Sequence, residues 1–212
     1  MAKSMALTNR HVAFQFKGER DYVHGTDIYN SIGNALLTKD TQSFPSTFTQ
    51  FKLAIRKPSH HHCRLDISLL NSTHGKPDTA VVEFQFSCNR QAYKGWLSET
   101  DGPVSERYEY SEQQALAGCD ISKNSANLIN CREYTTVENL VAATKQLHVT
   151  QFPDANGKWF FSRLELAQLL PSQTDQLLTI TLNQSVGQRL TRSDIQIDSQ
   201  SVGSIYFSLV PA

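Results

Sequence analysis

The chain lacks most of the signals that assign a protein quickly. Its 212 residues carry 20 Lys+Arg against 20 Asp+Glu, a formal net charge of zero. No global field therefore draws it to nucleic acid or to an anionic lipid surface, and neither is expected as a partner. No apolar run approaches bilayer-spanning length, so no membrane partner is expected. The opening MAKSMALTNRHVAF has no long apolar core of a secretion signal. The four cysteines, Cys63, Cys88, Cys119 and Cys131, form no Cys-x-x-Cys pair, which signals neither a zinc site nor a disulfide framework. The expectation is a soluble cytoplasmic protein with free thiols and no cofactor or metal.

What is present is an internal repeat. HVAFQFKGERDYVHGTDIYNSIGNALL, from His11, parallels HVTQFPDANGKWFFSRLELAQLL, from His148. Each opens extended, passes a glycine-containing polar turn and enters an apolar stretch of helical length. FKLAIRKPSHHHCRLDISLL from Phe51 parallels LLTITLNQSVGQRLTRSDIQID from Leu177, each placing Arg-x-Asp-Ile at the start of a second strand. AVVEFQFS from Ala80 parallels GSIYFSLV from Gly203. The shared order is strand, helix, then three strands, twice. Lys52–Arg56, Thr179–Asn183 and Asp194–Asp198 alternate polar and apolar residues as half-buried antiparallel strands do, and KPSHHH and SVGQR read as hairpin breaks. Between the repeats, EQQALAG and TVENLVAATKQL read as short helices, with Thr136 as N-cap of the second. The expected organisation is a unit over residues 1–88, a crossover with short helices over 89–146, and a second unit over 147–212.

One apolar helix per unit, laid on a sheet with one polar face, is an α+β arrangement. A helix wrapped by its own antiparallel sheet is the hotdog pattern, and two in one chain make a double hotdog. On that pattern QFPDANGKWFFSRLELAQLL resembles the helix-entry motif of bacterial β-hydroxyacyl-carrier-protein dehydratases. Phe152-Pro153, Glu165 and Ala167-Gln168 match its order and spacing, whereas its Pro-Gly is absent and Gln151 stands where its catalytic histidine would be. RDYVHGTDIYNSI is similar to the N-terminal hotdog of polyketide-synthase dehydratase domains through Asp21, Val23 and His24-Gly25-Thr26. Tyr22 occupies the expected place of the histidine there, and the Pro-Gly is again missing.

The resemblance implies an enzyme acting on acyl thioesters, most concretely dehydrating a β-hydroxyacyl group on acyl carrier protein or coenzyme A. Dehydration needs a base for the α-proton and an acid for the departing hydroxyl. It casts His24 and Glu165 as the pair, facing each other from the two units, with Tyr22, Gly25, Gln168 and Phe160 as substrate contacts. Burial of Glu165 among Phe160, Phe161, Leu164 and Leu169 would favour its protonated form. Backbone N–H groups of a helix starting near Gly25 would serve the thioester oxygen. The fused pair already supplies a two-fold contact, and a homodimer is compatible with it.

Plainer readings stand beside these. Glu165 also suits the wet side of an amphipathic helix, His24 a turn, and Asp27 an N-cap for a helix from Ile28. His60-His61-His62 alternates faces in a strand and suits an exposed hairpin tip better than a metal cluster. Trp96 and Trp159 suit packing. The departures from the dehydratase motifs also fit a non-catalytic double hotdog kept for binding or assembly, and a thioesterase or isomerase would share the pattern.

Overall fold

A computed structural model describes residues 8–37, 48–129 and 133–211; Cys131 lies outside them. The chain divides into two compact units at Tyr110/Ser111.

The first unit contains β1 (Thr8–Val12), β2 (Phe16–Lys17), α1 (Gly25–Leu37), β3 (Phe48–Ile55), β4 (His61–Leu69), β5 (Ala80–Cys88), β6 (Gln91–Pro103) and β7 (Arg107–Tyr108). Its main sheet is antiparallel in the order β1-β4-β6-β5-β3, and β2 pairs with β7 in parallel beside it. β3 is buried at Phe51, Leu53 and Ile55 with exposed Lys52 between, the alternation its sequence announces. α1 buries Ile28, Tyr29, Ile32 and Leu36, and the Tyr29 ring meets Phe51 of β3 edge-on at 5.7 Å. The helix thus lies on the sheet. Its first turn hangs on the His24 carbonyl, which accepts from the Asp27 and Ile28 amides, so α1 starts three residues before Ile28.

The second unit contains α2 (Glu112–Ala115), β8 (Asp120–Ile121), β9 (Ser125–Ile129), α3 (Thr136–Gln151), β10 (Lys158–Gln168), β11 (Leu177–Val186), β12 (Leu190–Ile197) and β13 (Gln200–Val210). Its antiparallel sheet runs β10-β13-β12-β11-β9-β8. α3 packs on β9, β10 and β11 and buries Val137, Leu140, Val141 and Leu147. TVENLVAATKQL is therefore the central helix of this unit, not part of a crossover. Its N-cap is Thr135, one residue before the expected Thr136; the Thr135 amide and hydroxyl both donate to Glu138 at 2.7 Å, a capping-box contact.

The expectation of a helix in the apolar stretch of QFPDANGKWFFSRLELAQLL is corrected: Lys158–Gln168 is strand β10. Trp159, Phe161, Leu164 and Leu166 are buried, and a bulge between Phe161 and Arg163 inserts the residue that breaks strict alternation. Spacings of two, three and two imitate a helical stripe. Each unit thus has four long strands after its helix rather than three. The two strand orders also differ: β6 inserts between β4 and β5, whereas β11, β12 and β13 run consecutively. KPSHHH accordingly separates two strands that do not pair with each other, while SVGQR closes the β11–β12 hairpin.

Hairpin β5–β6 turns on Asn89-Arg90 and hairpin β12–β13 on Asp198-Ser199, all with positive φ, the backbone that two-residue hairpins demand. Gly95 on β6 faces Phe84 on β5 in register; a Cβ there would meet the Phe84 ring at 2.2 Å. Gly95→Ala is expected to cost about 2 kcal/mol in urea denaturation, by forcing a core ring aside. Gly75→Ala, with nothing within 4 Å, is the control and should shift the midpoint little. No described helix is long and apolar enough to cross a membrane.

Candidate functional site

The most developed polar feature lies within the first unit. α1 buries one stripe and turns the other outward: Asp27, Asn30, Ser31 and Asn34 follow one another at i, i+3, i+4 and i+7. They line an open cleft of about 530 Å³, with Ala13, Phe14 and Gln15 after β1, His62 of β4, and Ser105, Glu106 and Tyr108. That volume is in the range of small-molecule sites.

At one end of the cleft a buried polar cluster fixes Asp27. Lys17 is fully buried; its ammonium donates to Thr26 Oγ1 at 3.0 Å and lies 3.4 Å from Asp27 Oδ1. The Tyr108 hydroxyl donates to the same Oδ1 at 2.8 Å. The Tyr110 ring covers the Lys17 ammonium at 4.3 Å from its centroid. Short parallel β2 and β7 bring Lys17 and Tyr108 side by side in register. A carboxylate in the first turn also meets the positive end of the helix. At the cleft wall, the Phe14 amide donates to His62 Nδ1 at 3.1 Å. Glu106 accepts from Gln15 Nε2 at 2.9 Å.

The expected site residues are distributed as follows. His24 is buried immediately before α1, its Nδ1 2.7 Å from Thr26 Oγ1. Tyr22 is half-buried in the segment before it, and Gly25 is the first residue of the helix. Glu165 belongs to the other unit and lies on a strand. Its carboxylate is paired with Arg163, two residues away on the same face, and accepts from the Tyr206 hydroxyl at 3.4 Å. The apolar surroundings expected for it face the other way, because Phe161, Leu164 and Leu166 occupy the buried side of β10. Phe160 is half-buried on that strand and Gln168 is exposed at its end. Phe152-Pro153 follow the end of α3 instead of opening a helix.

The three histidines of β4 and its approach diverge. His60 Nδ1 lies 2.6 Å from the Asp21 carbonyl, His61 lies 3.8 Å from Glu99, and His62 lines the cleft. Among the described residues no group of three or more His, Cys, Asp or Glu is placed to hold a metal ion. Cys63, behind them, is buried, and burial pushes its thiol up to about 11 despite the Ser59 hydrogen bond, with Glu99 adding to the rise. Lys17, Asp27 and His62 were not read from sequence as a site. The available signal was the polar stripe Asp27-Asn30-Ser31-Asn34 on a helix otherwise apolar.

No protein-family profile matches the chain, and no curated protein does. Similar solved structures exist. A tesB protein of Mycobacterium avium subsp. paratuberculosis superposes with a TM-score of 0.50 at 9% identity, covering 97% of each chain. A conserved protein of unknown function with a hot dog fold from Alicyclobacillus acidocaldarius gives 0.52 at 6% identity, covering 96% of this chain and 93% of that one. The dehydratase domain of PpsC from Mycobacterium tuberculosis, in complex with C12:1-CoA, gives 0.47 at 10% identity over 95% and 92% of the two chains. With a helix laid on its own antiparallel sheet in each unit, the chain has the double-hotdog fold.

Proposed function

We propose that the protein acts on acyl thioesters and that its reaction is the dehydration of a β-hydroxyacyl group. The observation that carries this reading is the cleft along α1, with a carboxyl group held in place by Tyr108 and Lys17 at the first turn of a hotdog helix. The dehydratase resemblance of RDYVHGTDIYNSI falls on the same helix start. In the proposed chemistry Asp27 removes the α-proton, leaving the electron pair in the thioester enolate. The β-carbon–oxygen bond then breaks as the carbon–carbon double bond forms. Asp27 returns its proton to the departing hydroxyl, which leaves as water. One carboxyl on one side of the substrate can serve both transfers. His24 and Glu165, the pair implied by the resemblance, form the competing assignment.

The test is a β-hydroxybutyryl-pantetheine thioester, with enoyl absorbance and release of free thiol followed separately. Turnover to enoyl product is expected, falling about a hundredfold in Asp27→Asn and less in Tyr108→Phe, with both variants assayed where circular dichroism shows them folded. Glu165→Gln should stay within about threefold of the parent, as expected for an ion-paired surface carboxylate. Thiol release without enoyl product would make the protein a thioesterase. Turnover lost in Glu165→Gln and kept in Asp27→Asn would return the chemistry to the other pair.

A second reading, binding without turnover, is favoured by one observation: the Asp27 carboxylate is already engaged by Lys17 and Tyr108. Saturable binding of the thioester with neither product would select it.

A further inference from the structure

We propose that His62 is a fixed hydrogen-bond donor that recognises a neutral carbonyl oxygen in the α1 cleft. This deepens the acyl-thioester reading and rests on it for the identity of the ligand. The Phe14 amide sets the tautomer. A backbone N–H can only donate, so His62 Nδ1, 3.1 Å away, must present its lone pair. The neutral ring then carries its proton on Nε2. No described residue takes up that Nε2–H in a hydrogen bond, and the ring lines the cleft.

The ring is also held in position. His11 of β1 packs edge-on against it with centroids 5.8 Å apart. On the β6 side, a Cβ added at Gly102 would come within 3.3 Å of His62 Cδ2, so the imidazole lies close over that backbone. A donor fixed in this way needs no reorganisation to meet an acceptor.

The charge of the cleft selects the acceptor. Asp27 and Glu106 both line it, and of these only Asp27 has a lysine beside it. An anionic ligand group would add like charge to a cleft that already carries the Glu106 carboxylate, whereas an uncharged thioester or amide carbonyl would not. The same hydrogen bond settles what His62 does not do. With Nδ1 committed to Phe14 and Nε2 protonated, the ring offers no lone pair to abstract a proton. During dehydration it would instead donate to the oxygen on which enolate charge develops, while the carboxyl moves the protons.

The test uses protein labelled with ¹⁵N at histidine and two probes, β-hydroxybutyryl-pantetheine thioester and its amide isostere, which cannot be hydrolysed. Long-range ¹H–¹⁵N correlations should show His62 as the Nε2-protonated tautomer, with the Nε2 signal moving on addition of the amide. His62→Phe should weaken amide binding about tenfold, the size of one lost hydrogen bond, while His62→Gln, which keeps an N–H donor, stays within about threefold. A ring protonated on Nδ1, an unmoved Nε2 signal at saturation, unchanged affinity in His62→Phe, or no amide binding at all would each overturn the donor role. Failure of the function reading looks different: the amide binds and shifts Nε2, yet the thioester gives no enoyl product.

Discussion

Replacing Lys17 with methionine is expected to destabilise the protein by about 3–5 kcal/mol, the range for removing one partner of a buried ion pair. Lys17 is wholly buried while the Asp27 side chain is 16% exposed. Methionine fills the space of the lysine stem but takes the ammonium away from Asp27 Oδ1 and Thr26 Oγ1. The carboxylate would then stay largely out of water with the Tyr108 hydroxyl but without its cation, and the cation–π contact to Tyr110 would be lost as well. Because α1 begins at this cluster, the helix start and the cleft should loosen together. Urea denaturation of Lys17→Met, Asp27→Asn and the double variant checks this. The double variant should be less destabilised than the sum of the singles, since removing both charges leaves no unpaired ion. Additive losses would show that the two groups do not stabilise one another.

Acidification is expected to remove about 3 kcal/mol of stability through one residue, His148. This histidine, in the last turn of α3, is fully buried and neither ring nitrogen finds a hydrogen-bond partner among the described residues. Its surroundings are aromatic: Trp159 at 4.6 Å, Phe207 at 5.1 Å and Phe152 at 6.2 Å between centroids. Burial pushes its pKa down from 6.5 to about 4, because the charged ring has nothing to replace its hydration. In the unfolded chain the ring takes up a proton near 6.5, so between that pH and about 4 the unfolded state binds more protons than the folded one. The contribution is therefore intact above 6.5, declines as pH falls and levels off below about 4. Denaturant midpoints across this range should show the decline in the parent, with the His148 part of it absent in His148→Phe. An identical slope in the variant would contradict the assignment.

Much of the fold was legible because burial follows simple periods. β3, β11 and β12 alternate, and TVENLVAATKQL keeps its apolar residues at helical spacing, so strands and helix fall where those patterns place them. β10 misled for a physical reason. Its bulge shifts the buried positions from Trp159 and Phe161 to Leu164 and Leu166, and good helix formers such as Leu, Glu and Ala fill the rest. That misreading turned Glu165 into an acid among apolar neighbours, whereas alternation sets it beside Arg163. The start of α1 was legible as a motif, but the cleft was not. Its essential contacts join residues far apart in sequence, Asp27 to Tyr108 beside the two-residue strands β2 and β7, and Phe14 to His62 across β4, and no local pattern announces either. The different order of β5 and β6 was equally hidden, since both orders satisfy the same local alternation.

On the proposed function, the α1 cleft of the first unit holds the acyl thioester. A crystal structure with the β-hydroxybutyryl-pantetheine amide bound tests it most directly. The ligand is expected along Asn30, Ser31 and Asn34, with its carbonyl oxygen at His62 Nε2 and its α- and β-carbons beside Asp27. A ligand bound beside Glu165 with the α1 cleft empty would contradict it.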